Sequence, residues 1–386
     1  MRTQTTIEIN NKSQPPRSVL NDMTTNKQVT LASRIGPRVK DRKTRSQDKH
    51  GRYSKYVRHR PIEALKAHRK LLADIAQDTL NVVLTTKAYH EDSADTGLTT
   101  GTFHDLSSQI QRSREESSFY PHRCPLLASW KDGPRLSQGP PTSTTYEFTR
   151  LTILSVARKL WTSNDDIRSG VSKIGVLNAA TPRKPGGSSL AGGDTQEEFL
   201  VRQTTVFDSL QNSEAGEQFY LTHRFETDGS GLNDHALLYT PDVVAFKDDR
   251  GRRVSPMSID VVSSVPVHAA TVHSKHDVDP TVLTGGIHDV MKERMARILR
   301  LFEERGDRVL IIGSFGMGQF CISPTVVGEI WADLLLARGA KFEGVFDKVV
   351  FAIPGKHLPA FRSAFSGRCL ELDILDSFSQ SDDDDE

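Results

Sequence analysis

The 386-residue chain predicts an α/β fold, with helices packed on a mixed, mostly parallel sheet. Three observations carry that expectation. Short apolar runs at 173–178, 308–313 and 348–353 read as fully buried strands. They alternate with segments of helical periodicity, as βα units do. Two glycine-rich loops, 179–194 and 314–323, leave such strands, at the carboxyl ends where ligands of open α/β sheets bind.

The elements follow in order. Pro61 opens a helix in which Ile62, Leu65, Leu72, Ile75, Thr79 and Val83 fall near one face. Residues 90–142 are rich in Ser, Thr, Pro and Gly, and the pattern predicts an irregular insert, mostly loop. Regular structure then resumes. Strands are expected at 145–149, 173–178, 236–239, 243–246, 259–267, 308–313 and 348–353. Helices are expected at 152–161, 195–211, 288–304 and 324–338, with Gly306 placed to end the third. A turn falls at 248–251 and no internal repeat is present.

Composition sets the boundaries. Hydrophobic residues make up 36% of the chain and concentrate after Leu151, so the core belongs to the C-terminal two-thirds. Residues 1–59 are polar and short of large apolar side chains, which predicts a disordered arm. The net charge is only +1, yet Lys and Arg dominate from Arg34 to Lys70, and the chain closes on Asp382–Glu386 within an acidic tail, 373–386. The basic arm suits contact with nucleic acid or another polyanion; the tail reads as solvated. Three scattered cysteines, Cys124, Cys321 and Cys369, do not make a disulfide framework and fit a reducing compartment. No apolar run is long enough to cross a bilayer, so no membrane contact is expected. A nuclear or cytoplasmic location is the expectation; a Ser-, Thr- and Arg-containing start also fits mitochondrial targeting, against which Glu8 and Asp22 count.

The chemistry concentrates in three places. Gly186, Gly187, Gly192 and Gly193 let the chain bring backbone amides close to a ligand, and Gln196, Glu197 and Glu198 then open a helix. Acids at that start leave room for a diphosphate on the loop and a carboxylate a few ångströms away on neutral sugar chemistry. Taken singly, these acids also read as structural: Asp194 capping, Glu197 answering it three residues on, Glu198 pairing with Arg202. The second place is 313–320, where Gly316 and Gly318 flank Met317 after Ser314, giving amides that can face a diphosphate. It fits neither a P-loop nor the dinucleotide fingerprint. The third is Asn178 at a strand end, able to donate to and accept from a ribose hydroxyl, or to complete a turn. Histidines 268, 273, 276 and 288 lack zinc-site spacing and read as loop or surface residues; no metal or other cofactor is expected.

At these residues the chain resembles the macrodomain-type poly(ADP-ribose) glycohydrolases of the bacterial-like branch, also found in fungi. That family carries a triple glycine followed after six to eight residues by Gln-Glu-Glu. Here Gly186-Gly187-Ser188 precedes Gln196-Glu197-Glu198 at that spacing, with Ser188 where the family has its third glycine. The strand 173–180, the segment Leu238-Tyr239-Thr240-Pro241-Asp242-Val243, the loop 313–320, the strand 349–353 and the helix 71–80 resemble further family segments. The likeness spans about 60–370, interrupted by the insert.

The resemblance implies a three-layer α/β/α macrodomain-like fold over 60–372, carrying an N-terminal helical extension. It implies hydrolysis of ribose–ribose bonds in poly(ADP-ribose), a tie to ADP-ribosylation in the DNA damage response, and a monomer acting on the polymer or on ADP-ribosylated protein. The diphosphate would lie against the amides of Gly186, Gly187, Ser188, Gly316, Met317 and Gly318. Asn178 and Glu197 would hold the terminal ribose, Phe320 would position it, and Glu198 would be the general acid and base. That role needs a carboxyl protonated near neutral pH, which partial burial, Glu197 and the ligand's own diphosphate would supply. Two other readings stay open: a non-catalytic ADP-ribose reader, and a hydrolase of mono-ADP-ribosylated substrates.

Overall fold

A computed structural model describes residues 62–92, 101–136, 143–225, 229–336 and 339–368. The basic arm, the acidic tail, Cys369 and parts of the 90–142 insert lie outside the described residues. The elements are α1 (Ile62–Asn81), β1 (Ala88–His90), β2 (Phe103–Asp105), α2 (Ser107–Glu115), β3 (Ser118–Tyr120), α3 (Pro125–Ala128), β4 (Thr145–Thr149), α4 (Ile153–Ser163), α5 (Asp165–Arg168) and β5 (Ile174–Ala179). They continue with α6 (Gln196–Gln203), α7 (Val206–Asn212), α8 (Glu214–Phe225), β6 (Leu237–Lys247), β7 (Arg253–Ser264), α9 (Ala269–Lys275), α10 (Pro280–Arg305), β8 (Val309–Ile312), α11 (Pro324–Leu335) and β9 (Lys348–Ala352).

Seven strands form one sheet in the order β3-β6-β7-β5-β8-β9-β4. The pairings from β7 through β5, β8 and β9 to β4 are all parallel. The two pairings that add β6 and β3 are antiparallel. Strands buried on both faces explain the unbroken apolar runs of β5, β8 and β9. Alternation then divides the core in two. Leu177, Val262, Leu310, Ile312, Val349 and Phe351 face one layer with α10 and α11. Val176, Val261, Ile311 and Val350 face the other, with α4, α6, α7 and α8. The expected helix–sheet–helix layering is therefore present.

Several expectations need correction. The described residues of the insert include β2, α2, β3 and α3, which the loop expectation did not foresee. β3 extends the main sheet, with Phe119 opposite Leu238. Tyr89, Leu106 and Ile110 pack with Val244 and Phe246 in a separate small core. Turn-forming residues hid these elements because each is short.

The strands expected at 236–239 and 243–246 are one strand, β6, with a register shift between Thr240 and Val243. Pro241 has no N–H to offer the ladder, and Asp242 takes the left-handed region, φ 53°, its amide donating to Asp260 Oδ1 at 2.8 Å. The helix expected over 195–211 breaks at Thr204, which bridges to Ala245, while the Thr205 hydroxyl accepts from the Val244 amide at 2.9 Å. Backbone pairing to β6 thus overrides local helical propensity.

The strand expected at 259–267 runs instead over 253–264, and α9 was not foreseen. The helix expected from 288 starts at Pro280, capped by Asp279, whose carboxylate accepts from the Thr281 amide at 2.8 Å. Gly306 ends it at φ 76°, as expected.

Two anchors fix segments near the ends of β5 and β7. Arg294, fully buried on α10, donates to the carbonyls of Val265, Leu232 and Asn233 at 2.8, 2.9 and 3.0 Å, fixing the chain that leaves β7. On the other side α1 lies against the 186–193 loop. Its first turns do not carry the expected buried stripe, since Ile62 and Leu65 are exposed; burial begins at Ala76, Thr79 and Leu80. Asp78 pairs with the buried Lys247 ammonium at 2.6 Å, docking the helix on β6.

Gly192 sits where α1 touches the loop, at φ 71°, and an added Cβ would overlap the Arg69 backbone, 2.8 Å from its Cα. Gly192→Val is expected to cost about 2–3 kcal/mol and lower Tm by roughly 5–10 °C in a thermal melt, more than the same change at Gly285, which meets nothing within 4 Å.

Candidate active site

The central strand β5 ends at Ala179, and the chain then folds over the start of α6. Gln196 joins the two: its Oε1 accepts from the Ala179 amide at 2.7 Å and its Nε2 donates to the Leu177 carbonyl. The same side chain lies against the end of β8, because an added Cβ on Gly313 would fall 3.3 Å from Gln196 Nε2. The Gln-Glu-Glu turn therefore stands between the two glycine loops, and both acids face inward.

Glu197 is fully buried. Its Oε2 accepts from the Thr181 amide at 2.6 Å, and its Oε1 from the Gly186 amide at 3.3 Å and from the Tyr220 hydroxyl. Burial pushes its pKa up, and the hydrogen bonds from Tyr220, Thr181 and Gly186 offset only part of that. With its oxygens engaged by these donors, Glu197 is a clasp for the 181–186 loop. That differs from the expected contact with a ribose.

Glu198 is 4% exposed and held differently. Its Oε1 accepts from the Ser188 amide at 2.7 Å and from the Ser188 hydroxyl at 2.6 Å. Its Oε2 accepts from the Thr195 amide at 2.7 Å. Burial alone would raise its pKa; the donors at Ser188 and Thr195 outweigh burial and hold it below the ordinary glutamate value. Of the influences expected to raise it, partial burial is therefore outweighed in the free protein. The cap is also one residue later than expected. Thr195 with Glu198 forms the capping box, and Asp194 pairs instead with Arg202 at 2.7 Å. The Thr-x-x-Glu spacing was present in the sequence, but the neighbouring Asp-x-x-Glu masked it.

The glycines of the first loop are explained by this acid. An added Cβ on Gly187, itself at φ 55°, would stand 2.8 Å from Glu198 Oε1; one on Gly193 would collide with Ser188 Oγ and the Glu198 carboxylate. The amides expected to grip a diphosphate here are occupied within the protein. Gly186 serves Glu197, Gly187 donates to the Lys184 carbonyl at 3.0 Å, and Ser188 serves Glu198.

The second loop differs. The amides of Gly316 and Gly318 donate to nothing among the described residues, and Gly318 has open space where a Cβ would stand. Met317 departs from expectation: its amide donates to the Ser314 carbonyl at 3.3 Å and its side chain is buried in the core. Phe320 is half-buried at the mouth, its ring 5.6 Å from that of His268. Asn178 is buried, Nδ2 donating to Ser263 Oγ at 3.0 Å, while Oδ1 has no partner among the described residues. Tyr220, Ser263, Thr181 and Pro266, which packs near Gly316, were missed, because nothing in their spacing links them to the loops. Among the described residues no cluster suits a metal ion.

With this geometry in place, residues 76–248 match the family model for the catalytic domain of microbial-type PARG. That stretch is similar to a microbial-type PARG catalytic domain. The poly(ADP-ribose) glycohydrolase of Thermomonospora curvata is 28% identical, with a TM-score of 0.64 over 77% of this chain and 98% of that one. Its structure with the inhibitor ADP-HPD is 26% identical at TM-score 0.63. The Deinococcus radiodurans PARG in complex with ADP-ribose is 25% identical, with a TM-score of 0.57 over 67% of this chain and 98% of that one. No curated protein matches the chain. The PARG match begins inside α1 and runs through the Gln-Glu-Glu turn to the end of β6.

The two carboxyls respond oppositely to pH. Glu197, its folded pKa raised, contributes stability that is complete below the unfolded pKa and lost as pH rises through the folded one. Glu198, its pKa depressed, contributes stability present above the unfolded pKa and lost as pH falls through the folded one. Glu197→Gln offers an N–H to a site filled by donors, and is expected to cost about 1–3 kcal/mol in denaturant melts below pH 4.5 while removing the Glu197 loss above it. A melt series in which Glu197→Gln merely parallels the unsubstituted protein at every pH contradicts this assignment.

Proposed function

We propose that this chain hydrolyses the ribose–ribose glycosidic bonds of poly(ADP-ribose) and releases ADP-ribose, with Glu198 as general acid and then base. The observation that supports it most is a buried but hydrogen-bonded Glu198 on the turn whose Gln196 lies against Gly313, where a second loop with unused amides at Gly316 and Gly318 begins. The diphosphate is taken by those amides and, once they are released, by the amide and hydroxyl of Ser188. Asn178 Oδ1, unpartnered in the protein, accepts from a hydroxyl of the terminal ribose, and Phe320 backs the sugar. Glu197 acts as a positioning residue through Thr181, Gly186 and Tyr220.

The proton balance follows from the same contacts. When a diphosphate draws the Ser188 donors away, Glu198 loses what holds it ionised and gains an anionic neighbour; both raise its pKa. The protonated carboxyl gives its proton to the departing ribose oxygen as the bond to the anomeric carbon breaks and oxocarbenium character develops. The resulting carboxylate takes a proton from water as that water's oxygen bonds the anomeric carbon, which restores the acid. The surrounding architecture fits a macrodomain. The donors from Ser188 also favour a second reading, in which the cleft binds ADP-ribose and leaves the bond intact because Glu198 stays ionised.

Glu198→Gln keeps an oxygen for one of the Ser188 and Thr195 amides, turns its NH2 toward the other, and removes the transferable proton. Release of ADP-ribose from poly(ADP-ribose) is expected to fall by roughly 10²–10⁴-fold, while calorimetric affinity for free ADP-ribose stays within about threefold. Undiminished turnover by this variant eliminates Glu198 as the acid; an unsubstituted protein that binds ADP-ribose but releases none leaves the reader.

A further inference from the structure

Beside the cleft lies a cationic and aromatic surface that the hydrolytic chemistry does not use. The 181–187 segment is a tight turn whose backbone is tied down throughout. The Thr181 hydroxyl donates to the Lys184 carbonyl at 2.8 Å, and the Gly187 amide reaches the same carbonyl at 3.0 Å. Glu197 clasps the turn at Thr181 and Gly186. From the C-terminal end of α8, Arg224 donates through Nε and Nη2 to the Arg183 carbonyl at 3.3 and 2.9 Å. The Arg183 and Lys184 side chains at its tip are exposed, and neither meets a carboxylate among the described residues. Next to them Phe225 is 72% exposed, and the Arg224 guanidinium lies over its ring, 5.8 Å from the centroid.

An immobilised backbone carrying unpaired cations next to an uncovered ring is how a protein meets a chain of phosphates and flat bases. Cations take the phosphates, and a guanidinium and a ring stack on a base. The turn runs directly into Gly186, so whatever binds at Arg183 and Lys184 adjoins the sugar held at Glu198. We propose that Arg183, Lys184, Arg224 and Phe225 form a subsite for the adjoining ADP-ribose unit of the polymer. Its diphosphate pairs with Arg183 and Lys184, and its adenine stacks on the face of Phe225 opposite Arg224. The surface gives the enzyme preference for polymer over a single ADP-ribose group. This rests on the hydrolase reading above and concerns residues outside its catalytic machinery.

The test compares the unsubstituted protein, Arg183→Glu/Lys184→Glu and Phe225→Ala. Measured are kcat and KM on poly(ADP-ribose) at several salt concentrations and the Kd of free ADP-ribose. The charge reversal is expected to raise KM by roughly tenfold or more with kcat within about twofold. It should also flatten the salt dependence of log KM by about 1.4, the contribution of two phosphates on a single strand. Phe225→Ala is expected to raise KM by about fivefold or more, as loss of one stacked base does. The Kd of free ADP-ribose should hold within about twofold in all three.

An unchanged KM, or equal losses for polymer and monomer, overturns the subsite. Charge reversal that abolishes oligodeoxyadenylate binding while leaving KM on poly(ADP-ribose) unchanged assigns the surface to nucleic acid and overturns it too. If the unsubstituted protein releases no ADP-ribose, the hydrolase reading fails. The subsite is then judged by polymer Kd in the same variants, where equal values overturn it separately.

Discussion

Two adjacent carboxyls open α6, and the donors around them pull the pair apart. Glu197 is sealed from water among Thr181, Gly186 and Tyr220, and burial raises its pKa. Glu198, one residue on, is also buried but receives three hydrogen bonds from Ser188 and Thr195, which depress its pKa. Only one of them can present a side chain to a ligand. A group used for proton transfer has to change its protonation state during turnover, and Glu198 sits among donors that a diphosphate can compete for. The proposed function assigns Glu198 that exchange.

The sheet makes the arrangement possible. Parallel β5 and β8 end side by side, so the turns leaving them are neighbours, and Gln196 spans the gap by bonding β5 while touching Gly313. Glycine is needed in the first loop because Glu198 comes too close at Gly187 and Gly193 for any side chain, and at Gly192 because α1 does. At Gly318 the same residue type leaves open space and a free amide. One loop is therefore closed on its own acid and the other is open to a ligand, a division that counting glycines does not reveal.

Much of the central architecture was legible in the sequence. Strands buried on both faces announce themselves as apolar runs, and Gly306 and Pro324 mark helix ends in ways that local chemistry dictates. The pairing of the two glycine loops followed from their places after β5 and β8. What escaped was set by partners distant in the chain. Thr204 and Thr205 leave the helix to pair with β6, and Pro241 sits in a bulge inside a continuous strand. Tyr220 reaches Glu197 from the middle of α8, and Asn178 finds Ser263 across the sheet. The position of the cap was readable and misassigned, since Asp194 and Thr195 both precede a glutamate by three residues; Arg202 decides by taking Asp194.

Ser188 is the point on which the account turns, because its hydroxyl adds a donor to Glu198 that a glycine would lack. The most direct measurement is the pH dependence of kcat/KM on poly(ADP-ribose) for the unsubstituted protein and Ser188→Gly, since that ratio reports the free enzyme. With Glu198 as the acid, activity falls as pH rises through its pKa. Removing the hydroxyl raises that pKa, so the limb moves to higher pH, and each unit of movement multiplies activity above the limb by about ten. Superimposable profiles, or a limb displaced to lower pH, would contradict the account.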